Sequence, residues 1–172
     1  MAHLKTAVSK GDHTLGNPKA AKVLVEYGDY QCPHCGLAFP FINRLLDNYG
    51  DEILFVFRNF PLQESHPAAM MAALAAEAAG LQGKFWEMHD MIFEHQASLS
   101  ADTLLHLAEK LQLDMQKFSQ DWRSQELMSR VEGDFEGGLR SGVNGTPTFF
   151  LNGARYDHYN ETYESLEQMM RD

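Results

Sequence analysis

The chain has 172 residues, 44% hydrophobic and 11% aromatic, enough for one packed core without covalent staples. Its net charge of −10, from 24 acidic and 14 basic residues with no long Lys/Arg run, argues against a nucleic-acid partner or an anionic membrane surface. Two cysteines are too few for a disulfide framework, and no window approaches the roughly 18 apolar residues of a membrane span.

Residues 1–21 are polar and broken by Gly11, Gly16 and Pro18, which predicts an irregular arm. They hold no apolar run of signal-peptide length, so a cytoplasmic chain is expected as written, and a periplasmic one if a leader has been removed. KVLVEY (22–27) is a short apolar run rich in β-branched residues and reads as a buried strand. GDYQ breaks it. After Cys32, Leu37, Phe41, Leu45 and Leu46 recur at helical spacing. Pro33 fits the first turn of that helix, Pro40 should kink it, and Gly50 should end it. EILFVFRNF (52–60) is a second strand, closed by Pro61; Arg58 and Asn59 at its end read as a structural anchor. Strand, helix, strand is the opening of a βαβ unit, with the cysteines at its first turn.

No strand signal appears over 62–142, which reads as an all-helical insertion. An Ala-rich helix ends at Gly80. The next carries Phe85, Met88 and Ile92 beside Trp86, His89 and Phe93 at helical spacing. Ser100, Asp114 and Ser124 stand where N-caps belong, the last ahead of a helix ending near Gly142. Phe85, Trp86, Phe93 and Trp122 are expected in the insertion core, and Met70, Met71, Met88 and Met91 in helix packing. His13, His66, His89, His95, His106 and His158 are scattered, and each reads as a surface or half-buried histidine. Strand signals return in TPTFFLNGARYD, where Asn152-Gly153 marks a hairpin. A last helix is expected over about 160–171.

The chemistry is concentrated in YQCPHC. Cys32 and Cys35 are three apart at a helix start. A structural zinc site needs four ligands; there are no other cysteines, and His89 and His95, six apart, do not lie side by side on a helix. No metal is expected. For redox chemistry the arrangement has a mechanism. Unpaired N–H groups and the macrodipole of a helix N-terminus stabilise a thiolate, and the thiolate is the nucleophile. Cys32, at the turn, should attack; Cys35, one turn in and more buried, should resolve. Pro33 and His34 lie beside the sulfur and tune it, His34 by a positive charge or a hydrogen bond. That charge should favour the reduced state and make the protein more oxidising than thioredoxin.

VEYGDYQCPHC, followed much later by GVNGTPTFFLNG, resembles the DsbA-like thiol–disulfide oxidoreductases of the thioredoxin superfamily. The likeness runs from GDHTLGNPKA through FRNFPL to the terminal hairpin. It implies an α/β protein with a thioredoxin-like fold, its core formed by residues 22–61 and 143–172 and interrupted by the helical insertion. It implies a cis Thr146–Pro147 bond, in a loop that lies against the CxxC and pairs its backbone with an incoming peptide. It implies that Glu26 is a buried acid beneath Cys35. A carboxylate within an otherwise apolar strand agrees with that; a strand-end glutamate facing water is the other reading. Burial would raise its pKa and let it exchange a proton with Cys35.

The activity implied is disulfide exchange with protein or peptide thiols and disulfides. It needs no cofactor besides the redox-active Cys32–Cys35 disulfide, and glutathione or a partner reductase would recycle it. Thr146 stands where DsbA proper usually has valine, which leaves the oxidase, reductase or isomerase direction open. The contrasting class is a non-catalytic, holdase-like binding module in which the CxxC is only a redox switch. Turnover separates the two.

Overall fold

The computed structural model describes residues 2–171. Its centre is the parallel pair β2 (Lys22–Gly28) and β3 (Ile53–Asn59), in the register Val25↔Val56 and Glu26↔Phe57. Both strands are buried on their two faces, which is why they read as continuous apolar runs. α1 (Pro33–Tyr49) makes the crossover. It buries Cys35, Ala38, Ile42 and Leu45, the i, i+3, i+7, i+10 face of an amphipathic helix, and continues as one helix through Pro40.

β4 (Thr148–Leu151) runs antiparallel to β2, and β5 (Ala154–Tyr156) pairs with β4. Asn152 and Gly153 have φ of 49° and 86°, the left-handed pair that a two-residue type I′ hairpin requires. The sheet is completed by a strand absent from the sequence reading. Residues 1–21 are not all irregular: β1 (His13–Gly16) pairs antiparallel with β3, giving the order β1-β3-β2-β4-β5. Four residues with half-exposed, alternating side chains offer no apolar run to detect. Farther upstream, His3 bridges Ala154, Leu4 N–H donates to the Gly153 carbonyl, and Arg155 N–H donates to the Ala2 carbonyl.

Between β3 and β4 lie α2 (Ala69–Gly80), α3 (Phe85–Glu94), α4 (Ala101–Lys110), α5 (Met115–Trp122) and α6 (Gln125–Arg140). Ser100, Asp114 and Ser124 each accept a backbone N–H from three residues on, from Thr103, Lys117 and Leu127. α2 is buried nearly all round; its alanines let α3, α5 and α6 pack against it. The C-terminal helix is shorter than its apolar pattern suggests: α7 covers Tyr163–Glu167 and passes into a 3₁₀ turn at Gln168–Met170.

The alternation of β2 divides the core. Leu24, Phe55, Phe57 and Phe149 join α1 and the helices on one face, whereas Val25, Tyr27, Val56, Phe60 and Phe150 form the other. Arg58 is the anchor its strand-end position suggested. It is buried, pairs with Asp12, and donates to the carbonyls of Thr6 and Ala7, tying the N-terminal arm to the sheet. His89 departs from the surface or half-buried expectation. It is buried among Tyr30, Phe57 and Phe93, with Nδ1 hydrogen-bonded to the Tyr30 hydroxyl at 2.8 Å. Burial holds its pKa down, to about 3, so the ring is neutral.

Gly16 ends β1 with φ of 93°, and a Cβ there would collide with the Ile53 carbonyl. Gly16→Ala should therefore cost about 2 kcal/mol or more, read as a lower midpoint in urea unfolding at unchanged slope.

Candidate active site

The turn from β2 into α1 places Cys32 at the N-cap of the helix, extended at φ −71°, ψ 121°, with Pro33 opening the first turn. The Cys32 carbonyl accepts the Gly36 N–H at 3.0 Å, and its own N–H donates to the Asp29 carbonyl at 3.1 Å. Both cysteines are free thiols. Cys32 is 3% exposed and Cys35 fully buried. Across from them the Thr146–Pro147 bond is cis, and the Cys32 thiol donates to the Thr146 carbonyl at 3.5 Å.

These surroundings split the two acidities. The Cys32 pKa falls from 9.0 to about 5. A hydrogen bond from the Cys35 thiol lowers it most, and burial works against that. The Thr146 side chain and the N–H groups of Cys35 and His34 lower it further. The Thr146 hydroxyl is buried and has no hydrogen-bond partner among the described residues. Burial pushes the Cys35 thiol well above its ordinary value, and its bond to Cys32 and the nearby Glu26 add to the rise.

Glu26 is 4% exposed, on the α1 side of the sheet. It forms part of a cavity lined by Phe39, Ile42, Phe55, Trp86 and Phe93, with Asn43 and Asp90. Burial raises its pKa to about 8, and negative charge at Cys32 raises it further in the same direction. The buried reading of this residue thus describes where the fold places it.

For His34 the expectation is that it tunes Cys32 by a positive charge or a hydrogen bond. Its imidazole turns to Glu161, Nδ1 to Oε1 at 2.6 Å, with both side chains about half exposed. Its backbone N–H hydrogen-bonds to Cys32 and lowers that thiol's pKa. Pro147 and Thr148 line an open cleft with Phe149, Arg155, Tyr156 and Tyr159.

Two site residues had no signal near the motif. Gln96, in a 3₁₀ turn after α3, donates from Nε2 to the carbonyls of Tyr30 and Cys32 at 2.9 and 2.8 Å. Its amide fills the space where Gly36 lacks a side chain. Glu161 stands in the left-handed region at φ 69° and reaches His34 from 127 positions away. No group of three or more His, Cys, Asp or Glu side chains placed to hold a metal occurs among the described residues.

A family model described as thioredoxin matches residues 8–172. The chain belongs to the thioredoxin family. Its fold is that of DsbA-like members of this family. BdbD from Bacillus subtilis superposes with a TM-score of 0.84 at 23% identity, over 99% of this chain and 96% of that one. The thiol-disulfide exchange protein alpha-DsbA2 from Wolbachia pipientis gives 0.80 at 19% identity, over 95% and 87%. Curated relatives share more sequence. The Na(+)/H(+) antiporter NhaA 1 of Salinispora arenicola is 44% identical over 155 residues, 90% of this chain and 24% of the relative. NhaA 3 of Salinispora tropica is 44% identical over 145 residues, 84% of this chain and 22% of the relative. The chain thus spans about a quarter of the length of these relatives. Among the described residues no helix is long and apolar enough to cross a membrane.

Two titrations follow. Thiolate absorbance at 240 nm in the reduced protein should show a midpoint near 5, lost in Cys32→Ser. Because this folded-state pKa is depressed, its contribution to stability of the reduced protein is full above pH about 9 and disappears as pH falls through 5. Glu26 has the opposite sign. Its raised pKa leaves stability intact below about 4.5 and erodes it as pH rises toward 8. Glu26→Gln should therefore melt higher than the parent at pH 7–8, and the gap should close as pH approaches 4.5.

Proposed function

We propose that this chain is a thiol–disulfide oxidoreductase that exchanges disulfides with protein or peptide partners through Cys32, with an oxidising bias. The observation that carries the reading is the split acidity of two adjacent thiols, one near 5 and one well above 9. At neutral pH Cys32 is a thiolate, hence both a ready nucleophile and a good leaving group, while Cys35 keeps its proton.

From the oxidised form, a partner thiolate attacks Cys32 Sγ and the electron pair of the broken bond goes to Cys35, which takes a proton from Glu26. The partner is then held in a mixed disulfide against Thr146 and Pro147. A second partner thiolate attacks the partner's own sulfur, a new partner disulfide forms, and Cys32 leaves as its stabilised thiolate. In the reverse direction Cys35 gives its proton to Glu26, attacks Cys32 and releases the partner reduced. Glu26 is suited to both directions because its pKa of about 8 lies close to neutrality. The chemistry needs no cofactor beyond the Cys32–Cys35 disulfide. After oxidising a partner the reduced pair is reset by an oxidant such as oxidised glutathione; after reducing one, the oxidised pair is reset by reduced glutathione or a partner reductase.

The bias has a size. At pH 7 a thiol with pKa about 5 favours the reduced state by about 2.7 kcal/mol over one that stays protonated. For a two-electron couple this is about 60 mV. The potential measured against glutathione should be less negative than the roughly −270 mV of thioredoxin. A value at or below that figure would remove the oxidising bias. Cys35→Ala should accumulate a mixed disulfide at Cys32 with an oxidised or scrambled, disulfide-bearing protein substrate, seen as a non-reducing gel adduct. Cys32→Ala should form none. Wild-type protein that binds unfolded chains stoichiometrically without turning over their disulfides would overturn the enzymatic reading.

A further inference from the structure

One fully buried acid has no part in the chemistry above. Asp29 is 1% exposed and lies in the turn between β2 and Cys32. Its backbone touches both cysteines: the carbonyl accepts the Cys32 N–H, and its own N–H donates to the Cys35 sulfur at 3.4 Å. Its carboxyl group is held at three points. Oδ1 accepts the Gln31 N–H at 2.8 Å; Oδ2 accepts the Leu62 N–H at 2.9 Å and meets His66 Nδ1 at 2.8 Å.

The Gln31 bond is an ordinary Asx turn and would shape the loop without burial. The other two come from more than thirty positions away, in the segment joining β3 to α2, and take the carboxyl group out of water. Burying an acid is costly, so the arrangement calls for a reason beyond the turn. The resolving step supplies one. When Cys35 attacks, negative charge develops on a sulfur with no exposed surface, and burial opposes it. A donor already aimed at that position is worth most in such a dry site. The peptide N–H of Asp29 is that donor, and the direction of a peptide N–H is set by how its residue is held.

We propose that Asp29 is a positioning residue for the resolving step: its carboxyl group, fixed by Gln31, Leu62 and His66, keeps its own N–H aimed at the Cys35 sulfur. In that step the Cys35 proton passes to the Glu26 carboxylate, and a Cys35–Cys32 bond forms as the Cys32–partner bond breaks. The partner sulfur leaves with the electron pair and takes a proton from water. The proposal rests on the disulfide-exchange reading.

The test uses wild type and Asp29→Asn, each with Cys32 converted to its glutathione mixed disulfide. Release of glutathione is followed from pH 6 to 9, with Cys32, Glu26 and Tyr159 the titratable side chains that act on Cys35. Exchange of the residue 29 amide is followed by NMR. Asp29→Asn should slow release about tenfold across this range, speed the amide's exchange at least as much, and change the first attack on oxidised glutathione less than twofold. Unchanged release overturns the proposal, whatever happens to the melting temperature or the amide. Should Asp29→Asn fail to fold, His66→Ala, which removes one holding point, decides: release slowed about threefold supports the proposal, and release at the wild-type rate overturns it. Wild-type protein that does not release its glutathione would sink the disulfide-exchange reading instead, and the amide exchange would still report whether the carboxyl group aims the N–H.

Discussion

A negative charge on a sulfur with almost no contact with water is the constraint around which this molecule is arranged. Water cannot stabilise the Cys32 thiolate at 3% exposure, so protein dipoles must. The fold provides them by starting α1 at the sulfur, where the N–H groups of His34 and Cys35 have no helical acceptor. The Cys35 thiol, in the same first turn, and Thr146, in the loop before β4, act on the same atom. Two separate parts of the chain, the start of α1 and the loop before β4, therefore meet at one sulfur, and the sheet that holds β2 between β3 and β4 is what brings them there.

The same economy governs the polar groups that hold the helices to the sheet. Glu77 in α2 is buried, yet it meets His13 of β1, Arg130 of α6 and Asn59 at the end of β3. Its pKa lies below the ordinary value because those donors outweigh a burial that alone would raise it. Asp134 receives only the Asn59 groups directly and lies near the charge of Glu77, and burial lifts it to about 6. One carboxylate is thus fully matched and its neighbour is not. The junction between sheet and helices is specified by hydrogen-bond geometry as well as by apolar packing.

Much of this was legible from residue order because the deciding forces are local. A β-branched run buried on both faces, side-chain caps at Ser100, Asp114 and Ser124, and an Asn-Gly turn are each settled within a few residues. The cysteine pair at a helix start is of the same kind. What escaped was set by distance in sequence. β1 exists because β3 offers it an edge, not because HTLG prefers extension. Gln96 finds the Cys32 carbonyl across 64 positions, and His66 finds Asp29 across 37. His34 shows the limit most plainly: Glu161, which meets its ring, lies 127 positions away. His89 was misjudged because a lone histidine carries no mark of the aromatic residues that will enclose it.

The pairing of residues Ala2–Leu4 along the hairpin has a consequence of another kind. An open sheet presents unpaired backbone groups at its outer strands, and these are templates for cross-strand association between molecules. Here the β5 side is already occupied by the chain's own beginning, through the Arg155 N–H, the Leu4 N–H and the His3 bridge. The opposite border is only four residues long and ends at a glycine whose left-handed backbone does not continue a strand. The sheet therefore presents little unpaired border on which a second extended segment could add.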